Sequence, residues 1–347
     1  MFRGVNGAHV FALNGEVRSP IAGYDPGCLG KTRAGWVCGG ASVAEGRNDA
    51  EVRRAFALVL GTGVIWGTIG IAAKVVFETT TLDASAVNWL RTLVASVTCL
   101  AIAGPTLRDG LRKSSRRDLA LMVLLGIIIV FYQWSYLAAV DRIGVATATL
   151  IALCVPPALV ALLSALFLGE SLSRMGLVAL LGALLGTAML VGSPSVVAEG
   201  GVFLAGVLFA LGSAAGIAAH ALGSRRIAGR HDALLPLAIA FPTGAVVFAP
   251  IALSRGLSFD QPLVGWVLVI YLGVVPSALA YAMYQRGLRH LPASTASILT
   301  LAEPLTAALL AWLLFSEALT PVGIAGGALL LASILLLTRQ PSRPATA

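Results

Sequence analysis

The chain has 347 residues, of which 58% are hydrophobic and only 12% charged, against roughly 45–50% apolar and about 25% charged in soluble domains. So little charge cannot cover a folded surface, which excludes an ordinary water-soluble protein and leaves lipid as the solvent for most of the chain. The 24 basic and 16 acidic residues give a net charge of +8, and where those positives fall decides whether they mark a nucleic-acid surface or a membrane topology.

Residues 1–55 differ from the rest. They hold ten glycines, two prolines, scattered charge and no apolar run long enough to span a bilayer or to serve as a secretory signal. This composition predicts a disordered cytoplasmic tail. It also suggests an over-called start, with the working protein beginning near Val52.

From residue 56 the apolar residues come in ten blocks: 56–77, 85–104, 119–140, 145–168, 175–192, 202–222, 233–252, 264–285, 293–315 and 321–338. A spanning helix needs about 20 predominantly apolar residues, and each block is near that length. The blocks do not alternate apolar with polar, as the strands of a membrane barrel must, so helices are the remaining way to satisfy the backbone in hydrocarbon. The predicted fold is therefore an all-α polytopic membrane protein with ten transmembrane helices, closed by a cytoplasmic tail at 339–347. Glycines four apart, at Gly63/Gly67, Gly182/Gly186, Gly212/Gly216 and Gly323/Gly327, let helices approach closely. Prolines at 236, 242, 250 and 276 punctuate the seventh and eighth blocks.

Twenty of the 24 basic residues fall in the tails and in the connections after the second, fourth, sixth and eighth blocks. Only Arg142 and Arg255 fall in the alternate connections, and Lys74 and Arg91 lie inside blocks. Cytoplasmic loops carry the excess of Lys and Arg. Ten spans with both termini in the cytoplasm are consistent with that count, and they place the protein in the cytoplasmic (plasma) membrane. The basic excess is then a topology signal, and no nucleic-acid partner is expected. Cys99 and Cys154 lie inside blocks as small buried residues. Cys28 and Cys38 have no accompanying histidine pair, so neither a metal nor a cofactor is expected.

The chain repeats itself. Gly70-Ile71-Ala72-Ala73-Lys74 reads against Gly216-Ile217-Ala218-Ala219-His220, and the spacing Pro157, Glu170, Gly176 recurs as Pro304, Glu317, Gly323. This gives a first five-helix repeat over 56–192 and a second over 202–338. Five is odd, so the second repeat enters the membrane inverted. Inverted repeats are a hallmark of secondary transporters, whose substrate site lies near the midplane between the repeats.

Several short motifs give the chain a family resemblance. They are Trp66-Gly67 with Lys74 in the first helix, Arg91 in the second, the helix–Pro–helix–Gly-Glu element of Pro157, Gly169 and Glu170, and its counterpart Glu303-Pro304 with Glu317. Over residues 56–338 the sequence resembles the EamA-type carriers of the drug/metabolite transporter superfamily. The resemblance implies ten helices in two inverted five-helix repeats and movement of small metabolites. Strict duplication fails at position 237, where the counterpart of Arg91 is a leucine, so any role of Arg91 belongs to one half.

Charged side chains inside spans are costly and are functional suspects by default. The candidates are Lys74, Arg91, His220 and Glu303. Glu303 is the most central and directly precedes Pro304, which frees a backbone carbonyl. It can exchange protons, or it can be a protonated structural residue bonded to that carbonyl. Arg91, after Asn88 and Trp89, can hold a substrate carboxylate, face Glu303, or snorkel to the headgroups. Lys74 is expected to snorkel and His220 to pack. Glu170 and Glu317 are expected to cap the helices that follow them. Tyr132, Gln133 and Tyr136 in the third block, with Tyr281, Tyr284 and Gln285 in the eighth, are candidates to line a cavity.

These residues predict a secondary active transporter moving a small metabolite, such as an amino acid or a drug-like compound. It is expected to be an exporter coupled to protons or exchange, with the small-molecule substrate and membrane lipid as partners. The charges of Lys74, Arg91 and Glu303 favour a substrate bearing a carboxylate. The alternatives are an intramembrane enzyme and a channel. Against the first, no aspartate lies within a block, and against the second, no ring-forming pattern is evident. The sequence sets no oligomeric state.

Overall fold

In the computed structural model, residues 28–32, 35–170, 172–191, 200–315 and 320–338 are described. The chain divides into two units, residues 1–50 and 51–347. In the first, Cys28–Thr32 (β1) and Gly35–Cys38 (β2) pair antiparallel, within the stretch expected to be disordered.

The remainder is helical, one helix to each apolar block. Eight of these helices are α1 (Ala50–Thr79), α2 (Ala84–Lys113), α3 (Arg116–Val140), α4 (Thr147–Leu168), α5 (Arg174–Val191), α6 (Gly201–Ile227), α7 (Leu234–Ser254) and α8 (Leu263–Gly287). The last two are α9 (Ala293–Leu314) and the shorter α10 (Pro321–Thr338). Among the described residues, nine helices are long and apolar enough to cross a membrane, and α10 completes the ten.

Helical assignment is continuous from Arg116 to Leu168, a stretch of 53 residues that contains Pro156 and Pro157. Drawn straight, it would be about 80 Å long, far beyond a bilayer of about 40–45 Å. Side-chain geometry shows that it folds back on itself. The Tyr136 hydroxyl lies 2.7 Å from Thr149 Oγ1, yet thirteen residues of straight helix rise about 20 Å. α3 and α4 are therefore separate spans, as the sequence reading requires.

The repeats exchange helices. α6 packs on α3 and α4, with Ala210 beside Ala139 and Ala218 beside Val160. In the same way α1 packs on α8 and α9. Grouped by the repeat symmetry, one bundle is α3, α4, α6 and α7 and the other is α8, α9, α1 and α2, the two packed into one compact unit. They meet where α2 packs on α7 and α4 on α9, and α5 crosses α10 beside them. The glycines show the inverted symmetry at atomic detail. Gly126 of α3 lies against the Ala240 carbonyl of α7, and Gly273 of α8, its repeat counterpart, lies against Val94 and the Arg91 carbonyl of α2. Gly186 of α5 and Gly326 of α10 face each other's backbone, where a Cβ on either would come 2.7 Å from the other's carbonyl oxygen. Gly63 and Gly67 of α1 lie over the backbone of α9.

Caps follow the repeat as well. Ser173 Oγ accepts from the Gly176 amide at 2.9 Å to start α5, and Thr320 Oγ1 accepts from Gly323 at 3.0 Å to start α10. At α5 the Ser173 hydroxyl takes the role expected of Glu170. Glu317 lies outside the described residues. Glu170 caps a different helix: its Oε2 accepts from the Ala293 amide at 2.9 Å, at the start of α9. The turn that sends it there needs Gly169, whose φ of +66° falls in the left-handed region that favours glycine.

The matched glycines Gly70 and Gly216 give a direct test of the swapped packing. A Cβ at Gly216 would meet Tyr132 Cβ at 2.6 Å, whereas one at Gly70 meets nothing within 4 Å. Gly216→Ala is expected to lower the melting temperature in detergent by an overpacking cost of about 1–3 kcal/mol. Gly70→Ala is expected to leave it unchanged or raise it, because alanine is the better helix former. Equal melting temperatures for the two variants would contradict this packing.

Candidate functional site

Two spans depart from regular α-helix, and both departures lie beside the candidate residues. In α8 the segment Gly273–Leu279 is π-helical and contains Pro276. Such segments are rare and recur at functional sites. Its loosened backbone is satisfied from outside the ladder. Trp66 Nε1 donates to the Pro276 carbonyl at 3.0 Å, the Thr62 hydroxyl donates to Ala280 O at 3.1 Å, and Ser277 Oγ donates to Leu272 O at 2.8 Å. α9 is broken into Ala293–Leu299 and Ala302–Phe315. The Glu303 amide closes a tight turn on Thr300 O at 3.0 Å. Glu303 and Pro304 thus stand in the first turn of a new half-helix. There the missing proline N–H costs nothing, and a helix N-terminus favours a carboxylate.

Arg91 projects from α2. Its Nε donates to Asn88 Oδ1 at 3.0 Å, one turn earlier on the same face. The guanidinium lies within electrostatic reach of Tyr281, Tyr132 and Glu303. Arg91 and Glu303 sense each other's charge, and no ion pair within 4 Å joins them. Asn88 therefore aligns the cation and leaves its own Nδ2 without a protein partner.

The tyrosines close the cluster. The hydroxyls of Tyr132 in α3 and Tyr281 in α8 are hydrogen-bonded to each other, across the boundary between the bundles. Tyr281 is 7% exposed. Its ring lies 5.1 Å from Trp66, 5.4 Å from Phe241 and 5.6 Å from His220, centre to centre. His220 also meets Tyr132 edge-on at 6.4 Å. Tyr284 packs on the other side of Trp66 at 5.8 Å.

Among the described residues, four buried polar atoms have no hydrogen-bond partner: Asn88 Nδ2, Gln133 Oε1, Ser213 Oγ and Gln285 Oε1. Buried polar groups are normally paired. A mixed set of donors and acceptors left open in this way suits a polar ligand or water. No group of three or more His, Cys, Asp or Glu suited to a metal occurs among the described residues.

The structure thus gathers Arg91, Asn88, Glu303, Tyr132, Tyr281 and His220 into one site. Tyr136, one turn beyond Tyr132, also senses the Glu303 charge, but its hydroxyl is bound to Thr149. Gln133 contributes an open acceptor. Lys74 is half-buried and stands eight residues past Trp66 in α1, about 12 Å along the helix axis. Its repeat counterpart His220 is in the site as a packing ring. Leu237, the counterpart of Arg91, is buried in an apolar cluster with Phe241 and Met122, so the site is asymmetric. Sequence reasoning missed Trp66 as a site residue, although an indole beside a glycine in an aliphatic helix was the available signal.

Away from this cluster, a groove of about 340 Å³ between α3 and α6 is lined by Phe131, Ser135, Ala205, Leu208, Phe209 and Gly212. Phe131 and Leu208 are 52% and 59% exposed there. The groove therefore opens sideways towards lipid and carries none of the charged residues.

Comparison with known proteins gives this arrangement a setting. The chain is 26% identical over 306 residues to the "Uncharacterized inner membrane transporter YicL" of Salmonella typhimurium, covering 86% of this chain and 99% of that protein. It is 25% identical over 293 residues to the "Probable terminal-alkyne amino-acid exporter" of Streptantibioticus cattleyicolor, covering 82% and 93%. A solved crystal structure superposes with a TM-score of 0.69 at 20% identity, over 82% of this chain and 97% of that one, which establishes the shared fold. The EamA-like transporter family model matches twice, at residues 53–192 and 204–339. Each match covers one five-helix repeat, and the chain is a member of the EamA-like transporter family, an integral membrane transporter built from two such repeats.

Proposed function

We propose that this chain is a secondary active carrier that exports a small metabolite, an amino acid or similar zwitterion, across the cytoplasmic membrane. In this reading both termini are cytoplasmic, and the protein is neither an enzyme nor a channel. One observation carries it. A permanent cation, Arg91, and an exchangeable carboxyl, Glu303, share a buried tyrosine-lined site on the boundary between two bundles. The amino-acid exporter among the relatives supports the substrate class. The 20 basic residues gathered on one side support the orientation.

The division of labour follows from the chemistry of the two groups. Arg91 cannot lose its proton and, with the open Asn88 Nδ2 beside it, offers donors to a carboxylate. Glu303 accepts either a proton or the ammonium of the substrate. These two cannot occupy one carboxylate together, and mutual exclusion is what proton–substrate antiport requires. The proton taken up from outside releases the substrate there. On the cytoplasmic side, substrate binding displaces the proton. Exchange of one substrate molecule for another uses the same site without the proton step.

Glu303→Gln is expected to abolish pH-gradient-driven flux in proteoliposomes while the protein still folds and elutes as a single species. Unchanged pH-driven flux would remove Glu303 from the coupling. Screening the purified protein against a panel of amino acids for thermal stabilisation is expected to identify ligands. In Arg91→Gln their affinity falls about 10–150-fold, the equivalent of a lost charge-assisted hydrogen bond of about 1.5–3 kcal/mol. Saturable counterflow of those ligands supports a carrier, whereas an ohmic current would make the protein a channel.

A further inference from the structure

At the end of the molecule that carries most of the basic residues, the cations divide into two kinds. Arg225, Arg230 and Arg289 bond to protein groups. Arg225 Nε meets Glu170 Oε1 at 2.8 Å, Arg230 meets Asp118 at 3.3 Å, and Arg289 donates to the His231 carbonyl at 2.6 Å. The α2–α3 connection holds the other kind. Arg108, Arg112 and Lys113 close α2, Arg116 and Arg117 open α3, and only Ser114 and Ser115 stand between them. All five are exposed, and among the described residues none of them is in an ion pair. Asp118 is taken by Arg230 and His231, which leaves Asp109 as the one other carboxylate between residues 105 and 118. Arg116 and Arg117 lie in the first turn of α3, where the helix dipole disfavours cations, so helix stability does not account for them.

These charges stand on a fixed frame. The amide and hydroxyl of Ser114 both donate to the Gly110 carbonyl, at 3.1 and 2.7 Å, and close α2. Ser115 Oγ accepts from the Asp118 amide at 3.1 Å and starts α3. The His231 ring, from the α6–α7 loop, lies 3.1 Å from Asp118 Oδ2 and 3.4 Å from Ser114 Oγ. An apolar face of α2 leads up to the charges. Leu93, Val97, Leu100 and Leu111 recur at helical spacing and are 38–62% exposed, so this stripe faces lipid. The apolar block ends at residue 104. Arg108 and Arg112 lie about 6 and 12 Å further along the helix axis, where hydrocarbon gives way to headgroups.

We propose that the α2–α3 connection binds an anionic phospholipid, its acyl chains along the Leu93–Leu111 face and its phosphate among the five basic side chains. Clusters of about four to eight Lys and Arg just outside a span attract anionic headgroups. Arginine matches phosphate oxygens with paired N–H donors. Headgroup and chains are both needed, because a soluble phosphate meets the charges and gains nothing from the apolar stripe. The bound lipid holds the end of α2, which carries Asn88 and Arg91, beside the start of α3, which carries Tyr132. Neither Glu303 nor a substrate takes part, so lipid binding and flux are tested separately.

The melting temperature of the full-length protein in neutral detergent is titrated with phosphatidylglycerol, with phosphatidylcholine of the same chains, and with glycerol phosphate. Phosphatidylglycerol alone is expected to stabilise the protein. In Arg108→Gln/Arg112→Gln its apparent affinity is expected to fall about 25-fold, since each basic residue near the surface contributes about five-fold. Arg174→Gln/Arg286→Gln removes the same charge from exposed positions at the start of α5 and the end of α8, and is expected to leave the affinity unchanged. An equal loss in the two double variants would make the effect one of net charge and overturn the proposal. Equal stabilisation by phosphatidylcholine or by glycerol phosphate, or no stabilisation by any of the three, would overturn it too. If Arg108→Gln/Arg112→Gln fails to fold, Arg116→Gln/Arg117→Gln carries the same expectation.

Discussion

Hydrocarbon offers the backbone no hydrogen-bond partner, and the rest of this molecule depends on that constraint. An unpaired backbone group in the bilayer core costs several kcal/mol, so a helix can be interrupted only where something else satisfies the freed groups. The chain interrupts its helices at the π-helical Gly273–Leu279 segment of α8 and at the break after Leu299 in α9. Each interruption is covered by α1. Trp66 and Thr62 donate to carbonyls of α8, while Gly63 and Gly67 let α1 lie against α9. The irregular backbone, the buried charges and the tyrosine pair therefore occur together, because the same neighbouring helix that permits a break also walls the site.

Swapping helices between the repeats places that site on the boundary between the two groups of helices. The tyrosine hydroxyl bond joins α3 of one repeat to α8 of the other. In the proposed carrier, a ligand held by Arg91 and Glu303 on one side would lie against Tyr132 and His220 on the other. Function then enters where the duplication is broken. Arg91 faces no arginine partner, because Leu237 stands at its matched position.

Much of this was legible in the residues. Each of the ten helices covers one of the ten apolar blocks, with ends as much as nine residues beyond it, because lipid demands one apolar segment per crossing. The repeat, the cost of Arg91 and Glu303, and the candidacy of Tyr132 and Tyr281 also followed from local chemistry. Other assignments needed the fold. Glu170 reads as a cap for α5, whose amides lie nearest in sequence, yet Ser173 takes that place and Glu170 reaches α9. Trp66 reads as a motif residue, and its indole serves a carbonyl 210 residues away. Lys74 and Arg91 look alike in sequence, and only the fold shows Arg91 bonded to Asn88 beside the tyrosine cluster.

The sequence by itself determined that this chain spans a membrane ten times, that its halves are inverted copies, and which few residues break the apolar rule. Those properties depend on hydropathy and helical period, which are summed along the chain. Tertiary structure alone decided which of the exceptions meet, which helix Glu170 caps, and that the site lies between swapped bundles. Those outcomes depend on contacts between segments far apart in sequence. Such contacts are set by small residues and close backbone approach, and glycine spacing marks where a helix can approach closely without saying which helix it meets.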